Sequence, residues 1–167
     1  TASFQPKTVY LFNQYSYSLA DAPENMHVDI NGNITWTPIP SQVDNHNFTL
    51  KVDDGTTSSN LDISVYVNSP PIISTNPAKR TYLKRNEQFN FSFNSYDANE
   101  DAELSWYLLD GPEGMWMDST GIISWDPQIL DFAEYSIQLS DGYKSVEFSG
   151  FVYINSIPII TSVPPTG

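Results

Sequence analysis

An internal repeat constrains the fold of this chain more than any other feature of its sequence. Residues 15–38 (YSYSLADAPENMHVDINGNITWTP) align without a gap on residues 104–127 (LSWYLLDGPEGMWMDSTGIISWDP), at a constant offset of 89. The identical positions include Leu19/Leu108, Pro23/Pro112, Met26/Met115, Asp29/Asp118, Gly32/Gly121, Ile34/Ile123 and Trp36/Trp125. Further along, Asp54-Gly55 and Asp141-Gly142 pair at an offset of 87. So many paired landmarks indicate two tandem copies of one module.

The segments between these landmarks alternate apolar and polar residues with a period of two. Residues 48–52, 61–67 and 89–93 show this alternation most clearly, and it is typical of half-buried β-strands. Turn dipeptides such as Asn31-Gly32 and Thr120-Gly121 separate the segments, and no stretch has a convincing helical pattern. The sequence therefore predicts an all-β fold of two tandem immunoglobulin-like (cadherin-like) β-sandwich domains.

Proline pairs mark the joints between modules, because proline fixes φ and removes a backbone donor. Asn68-Ser69-Pro70-Pro71 is one such joint, and a similar signal recurs near Ile157-Pro158. We predict a first domain over 1–68, a second over 69–156, and a linker or the start of a further repeat over 157–167. We also expect the array to continue past residue 167.

The two copies differ in length before their shared tryptophan. The first has 35 residues before Trp36, whereas the second has 52 residues from Ile73 up to Trp125. We therefore expect the first domain to be abbreviated at its start. Either residues 9–12 turn directly into residues 15–19, or an opening strand lies outside this chain.

Composition excludes several classes of function. The net charge is −13, with seven Lys and Arg against twenty Asp and Glu, so a phosphate backbone would be repelled and nucleic-acid binding is not expected. The absence of cysteine excludes a disulfide framework, thiol catalysis and cysteine-ligated zinc. No apolar run is long enough to span a bilayer, so we expect no membrane insertion by this segment.

Three motifs of the second copy occur together in a specific order: Pro112-Glu-Gly-Met-Trp-Met-Asp118, Gly121-Ile-Ile-Ser-Trp-Asp-Pro127 and Ser140-Asp-Gly142. In this respect the chain resembles the cadherin-like and Ig-like repeats of large bacterial-type surface proteins, including the dystroglycan-type cadherin-like modules. The resemblance covers nearly all of the second copy and most of the first. It implies a secreted, extracellular or cell-surface protein in which each sandwich serves as a non-enzymatic spacer, adhesive segment or binding accessory. The implied partners are neighbouring repeats of the same chain, a surface protein or a glycan.

The acidic loop Asp97-Ala98-Asn99-Glu100-Asp101 is the best candidate for a metal site. Alternating oxygen side chains can aim several hard ligands at one point, as Ca²⁺ requires. Asp141 would join the site if both segments lie at the same end of the sandwich. The family loop has a central glycine where this chain has Asn99 or Glu100, and the first copy lacks the loop, so a solvated loop is the alternative. Calcium is the only cofactor that the sequence suggests.

The tryptophans divide into two groups by strand alternation. Trp36, Trp106 and Trp125 share a face with apolar neighbours, and we expect them in the cores. Trp116 faces away from Met115 and Met117, and Phe151 and Tyr153 likewise alternate with apolar residues. These three are predicted to form an outward patch for a glycan, a neighbouring module or a partner protein. The alternative is that they pack under a loop or at the joint.

No constellation of residues supports an enzyme. His27 and His46 are the only histidines, and no Gly-x-Ser-x-Gly elbow accompanies them. We expect both histidines at the surface and predict no enzymatic activity.

Overall fold

The computed structural model describes residues 15–75, 78–128 and 132–155. All regular secondary structure in these ranges is β-strand, as predicted. The chain divides into two compact units, 1–67 and 68–167, one residue away from the predicted division. The expected turn before residue 15 and the expected start of a further repeat after 156 lie outside the described residues.

The first unit is built on an antiparallel sheet in the order β1-β4-β5, beside a short β2-β3 ladder. Its strands are β1 (Ser16–Ala20), β2 (His27–Val28), β3 (Ile34–Thr35), β4 (Asp44–Asp53) and β5 (Ser58–Val67). In the register, Leu19 lies opposite Leu50, and Leu50 lies opposite Leu61. Among the described residues of this unit, the buried apolar side chains are Met26 and Phe48.

The second unit contains nine described strands in three sheets, ordered β10-β13-β14-β7, β11-β12-β8 and β6-β9. The strands are β6 (Ile72–Ile73), β7 (Arg80–Lys84), β8 (Phe89–Ser92), β9 (Ser95–Tyr96), β10 (Ser105–Asp110), β11 (Trp116–Met117), β12 (Ile122–Trp125), β13 (Phe132–Ser140) and β14 (Ser145–Asn155). The pairing of β7 with β14 is parallel, whereas the other ladders are antiparallel.

One hydrophobic core fills the space between the two larger sheets of the second unit. Phe89, Ile123 and Trp125 reach it from one sheet, and alternate residues of β13 reach it from the other. Tyr135 lies in this core, and burial raises its pKa to about 12. Along each strand, residues that point into the core alternate with residues that point outward. The residues between the core positions therefore form the outward face of each sheet.

The aspartates that pair in the repeat serve as turn caps in both units. Asp118 Oδ1 accepts hydrogen bonds from the backbone N–H groups of Thr120 and Ile122, both at 2.9 Å, and Asp29 Oδ1 bonds Asn31 and Asn33 in the same way. The Asn33 side chain also donates from Nδ2 to Asp29 Oδ2 at 2.8 Å, and this bond is the main reason that the pKa of Asp29 is lowered. The backbone bonds likewise favour the carboxylate form and lower the pKa of both aspartates. The shared aspartate therefore stabilises a turn, as the turn chemistry of Asp predicts.

The paired glycines are required by packing as well as by backbone conformation. Gly32 and Gly121 have φ values of +85° and +91°, in the left-handed region. A Cβ on Gly121 would lie 2.7 Å from the Phe93 carbonyl oxygen and 2.9 Å from Trp106 Nε1. A Cβ on Gly32 would lie 2.9 Å from the ring of Tyr17, the residue that pairs with Trp106 in the repeat. The repeat thus conserves one contact between a glycine and an aromatic ring.

Candidate functional site

The start of the second unit is tied to two of that unit's own loops. Asn68 Nδ2 donates to Asp141 Oδ2 at 2.8 Å, across 73 residues of sequence. The next residue, Ser69, donates its backbone N–H to Asn99 Oδ1 at 2.7 Å. Asn99 in turn donates its backbone N–H to Asp97 Oδ1 at 2.9 Å. Because Asn99 and Asp141 bind consecutive residues, the acidic loop and the Ser-Asp-Gly turn lie at the same end of the sandwich.

We call Asn68, Ser69, Asp97, Asn99 and Asp141 the joint cluster. Its two central side chains are almost completely buried, with exposures of 3% for Asn99 and 7% for Asp141. Buried polar groups ordinarily find hydrogen-bond partners, because leaving one unsatisfied costs about 1–3 kcal/mol. Asp97 Oδ2 departs from this rule, since it is a buried oxygen without a hydrogen-bond partner. The cluster therefore has one carboxylate oxygen free to bind a further group.

The charge of Asp141 is stabilised by its surroundings. Its burial opposes ionisation, but hydrogen bonds from the Lys144 and Tyr143 N–H groups and from Asn68 outweigh that cost and lower its pKa. The two backbone bonds to Oδ1 are 2.5 and 2.7 Å long. Asp141 is thus an anion at neutral pH, although it is buried.

The structure brings together three of the five predicted calcium ligands: Asp97, Asn99 and Asp141. Glu100 and Asp101, at the end of the same loop, are exposed. Within 15–75, 78–128 and 132–155, no group of three or more His, Cys, Asp or Glu residues is placed to hold a metal ion. The oxygen donors of the cluster suit a hard cation, but they comprise two carboxylates and one amide rather than the full acidic set.

The predicted core tryptophans differ in burial between the units. Trp106 and Trp125 are buried, as predicted, and Trp125 Nε1 donates to the Glu113 carbonyl oxygen at 3.2 Å. Trp36 is only half-buried, and its Nε1 is a buried atom without a hydrogen-bond partner. Its ring packs edge-on against His46, with 5.0 Å between ring centroids.

His46 is less exposed than predicted. It is half-buried against Trp36, and its Nε2 lies 3.0 Å from the Gln42 carbonyl oxygen. His27 is exposed, as predicted. The two histidines therefore have unlike surroundings, and His46 has a packing role.

The structure does not bring the three predicted outward aromatics together. Trp116 is 54% exposed, but it belongs to the β11-β12-β8 sheet. Phe151 and Tyr153 belong to β14 in the four-stranded sheet, and the outward faces of the two sheets of a sandwich point in opposite directions. The prediction of one patch formed by all three residues was therefore wrong.

Phe151 and Tyr153 instead contact two aromatics that the sequence reading missed. Tyr82 stacks on Tyr153 with 5.3 Å between ring centroids, and Phe132 stacks on Phe151 at 5.8 Å. Phe132 also contacts Tyr153 at 5.3 Å. Tyr82 lies between Thr81 and the buried Leu83. This alternation is the sequence pattern that could have predicted its outward orientation.

No helix in the described part of the chain is long and apolar enough to cross a membrane. No protein-family description matches the sequence. A search of curated proteins likewise finds no match.

Solved structures show what this fold is similar to. The chain matches extracellular domains 3–5 of Drosophila OTK with a TM-score of 0.65 and 11% identity, covering 85% of this chain and 52% of that one. It matches immunoglobulin domains 1–4 of Sidekick-1 with a TM-score of 0.59 and 10% identity, and the match covers 86% of this chain and 41% of that one. It also matches human protocadherin-24 EC1-2 with a TM-score of 0.54 and 12% identity, and the match covers 87% of this chain and 84% of that one.

An endo-fucoidan hydrolase of glycoside hydrolase family 107 also matches, at 19% identity over 86% of this chain and 24% of that one, but its TM-score of 0.41 is too low to bear on fold or activity. The present chain spans about half or less of the length of the matched OTK and Sidekick-1 fragments. The three higher-scoring matches, each with a TM-score above 0.5, agree with the all-β architecture described above. The chain therefore has an all-β fold of tandem immunoglobulin-like and cadherin-like β-sandwich domains.

Proposed function

We propose that the chain is a non-enzymatic structural and adhesive repeat of a secreted or cell-surface protein, of the bacterial-type, dystroglycan-like cadherin class that its motifs resemble. Its units act as a spacer and as an interaction surface. The fold supports this proposal, because immunoglobulin-like and cadherin-like domains recur in the extracellular proteins that it matches. Fold alone does not assign the role, so the argument depends on the joint cluster.

The joint cluster is the observation that carries the proposal. A spacer needs the segment between modules to be held, whereas a flexible tether leaves it solvated. Here both residues at the start of the second unit are hydrogen-bonded to buried side chains of that unit, and Pro70-Pro71 follows directly. Proline fixes φ at two consecutive positions, which stiffens the same segment.

Limited proteolysis tests whether this segment is held. A broad-specificity protease should spare residues 68–71 in the folded chain, because cleavage requires local opening. Asn99→Ala removes the acceptor for Ser69 and should speed cleavage there about tenfold, the factor that corresponds to the loss of about 1.4 kcal/mol of local stability. Asn94→Ala, at an exposed asparagine of the same unit, is the control. If the segment is among the first sites cut in the wild type, the spacer proposal fails.

A second part of the proposal is that calcium stabilises the joint cluster. The observation in its favour is the unpartnered, buried Asp97 Oδ2 in the same cluster as the anionic Asp141. Asp97 and Asp141 would hold the ion through carboxylate oxygens, together with the side-chain oxygen of Asn99. Calcium would supply charge compensation for two buried carboxylates.

Thermal unfolding with and without calcium tests this part. An ion that binds only the folded state raises the melting temperature according to its free concentration. We expect the second unit to melt higher in calcium than in chelator, and Asp97→Asn to abolish the difference. Glu103→Gln removes an exposed acid close to the loop and should leave the difference intact. Equal melting temperatures in calcium and chelator for the wild type would remove calcium from the proposal.

A further inference from the structure

Four aromatic side chains form a continuous stacked group on the outward face of the four-stranded sheet. We call Tyr82, Phe132, Phe151 and Tyr153 the aromatic face. Two of its pairs are nearly parallel, with interplanar angles of 22° for Tyr82 and Tyr153 and 19° for Phe132 and Phe151. Tyr82 is 69% exposed and Phe132 is 45% exposed. Phe151 and Tyr153 are half-buried. A set of rings lying together and partly open to solvent is unusual on a monomer and marks a contact surface.

The aromatic face adjoins the main concentration of positive charge in the chain. Four of the seven Lys and Arg residues, Lys79, Arg80, Lys84 and Arg85, lie within seven positions on or beside the edge strand β7. All four are exposed. We call them the basic strip. The remainder of the chain has three basic residues against twenty acidic ones, so the strip stands out against an acidic surface.

The register directs two of these cations to the same face as the rings. In the parallel β7–β14 ladder, Arg80 pairs with Phe151 and Tyr82 pairs with Tyr153. Since side chains two residues apart share a face, Arg80 and Lys84 flank Tyr82 on the outward side. Glu134 is the acid closest in register, opposite Phe151, and Glu87 follows the strip. The four cations outnumber these two acids.

We propose that the aromatic face and the basic strip together bind an acidic polysaccharide. A sugar ring presents a flat face of C–H groups that packs on an aromatic ring, and its sulfate or carboxylate groups pair with Arg and Lys. The charge of the strip selects an anionic polymer over a neutral one. The inference deepens the interaction part of the proposed function and rests on it.

The size of the surface favours a polysaccharide over a folded protein partner. A stable protein–protein interface needs about 20–30 residues on each side. The aromatic face and the basic strip comprise eight residues on or beside the adjacent strands β7, β14 and β13, which suits a narrow polymer. Charged side chains on an edge strand also discourage strand pairing, but that role does not require the cations to share a face with stacked rings.

Binding measured by biolayer interferometry tests the proposal. The two-unit chain should bind immobilised dextran sulfate or polygalacturonate and should not bind uncharged dextran. Poly-L-glutamate is the acidic polypeptide for comparison. We expect Tyr82→Ala, Tyr153→Ala and the double variant Arg80→Gln/Lys84→Gln each to weaken binding about tenfold or more, the loss seen when a central aromatic or arginine contact is removed.

Three matched substitutions serve as controls and should leave binding unchanged. Tyr107→Ala removes an exposed tyrosine of β10 in the same sheet, and Trp116→Ala removes an exposed tryptophan of the opposite sheet. Lys51→Gln removes an exposed cation of the first unit. Because Tyr82 is mostly exposed, its substitution should not change the melting temperature, which is measured alongside.

Several results would overturn the proposal. These are failure to bind both acidic polysaccharides, equal binding to poly-L-glutamate, and binding that Tyr82→Ala and Tyr153→Ala leave intact. The last result would mean that charge alone attracts the polymer. Self-association that Tyr82→Ala abolishes, seen by sedimentation, would assign the surface to a second copy instead. None of these results bears on the proteolysis of residues 68–71, so failure here is distinguishable from failure of the spacer proposal.

Discussion

Gly121 offers the sharpest test of how the repeat specifies its fold. In Gly121→Ala the added Cβ meets two obstacles at once. The backbone stays at a φ of +91°, and the methyl group lies 2.7 Å from the Phe93 carbonyl oxygen and 2.9 Å from Trp106 Nε1. Gly114→Ala is a matched control in the same unit, because Gly114 has a φ of +79° and no atom within 4 Å of the added Cβ.

The magnitude follows from separating these two costs. A non-glycine residue in the left-handed region costs about 1–2 kcal/mol, partly offset by the lower entropy of alanine in the unfolded chain. Overpacking against a carbonyl and a buried ring adds about 1–3 kcal/mol. We therefore expect a loss of about 1 kcal/mol in the free energy of unfolding for Gly114→Ala and about 3 kcal/mol for Gly121→Ala. For a unit of this size, the difference of about 2 kcal/mol corresponds to about 10 °C in melting temperature.

Tryptophan fluorescence during urea or thermal unfolding measures this difference. Three of the four tryptophans, Trp106, Trp116 and Trp125, belong to the second unit and report mainly on it. Equal destabilisation by Gly114→Ala and Gly121→Ala would refute the reasoning, because it would mean that the close contact of Gly121 carries no energetic cost.

Three further predictions concern titration and packing in the second unit. Hydrogen bonds lower the pKa of Asp118, so this residue stabilises the fold at pH values above the pKa that it has in the unfolded chain. The free energy of unfolding should therefore fall as the pH drops below about 4. In acid unfolding followed by fluorescence, this fall should be less steep in Asp118→Ala. Burial raises the pKa of Tyr135 to about 12, so the free energy of unfolding should fall as the pH rises above about 10. In an absorbance titration, the ionisation at the highest pH should be present in the wild type and absent in Tyr135→Phe. Ile123→Val at a fully buried site should cost about 1 kcal/mol in chemical unfolding, whereas Ile122→Val at its exposed neighbour should cost much less.

The sequence predicted the fold well where its signals were local. The alternation of residues 89–93 and the paired Ile and Trp landmarks correctly placed Ile123 and Trp125 in the core, because a period of two fixes which side chains share a face. The dipeptide Thr120-Gly121 likewise identified a turn, and the repeat identified Asp118 as a shared position. The reason that Gly121 is glycine required the structure, since its contact with Trp106 joins separate strands.

The site depended on contacts that no local pattern encodes. Tyr82 meets Tyr153 only because β7 pairs in parallel with β14, a pairing between strands about 70 residues apart. The bond from Asn68 to Asp141 spans 73 residues. Alternation predicted that Trp116 and Tyr153 both face outward, but it could not assign them to different sheets. Long-range pairing therefore decided which of the predicted residues lie together.

Amide hydrogen exchange at Ser69 tests the central claim most directly. If the start of the second unit is fixed to the joint cluster, the Ser69 N–H that donates to the buried Asn99 Oδ1 should exchange as slowly as amides of β13. Asn99→Ala should release it while the β13 amides stay protected. Exchange of the wild-type Ser69 amide at the rate of an exposed turn would contradict the account, because the joint would then be a flexible tether.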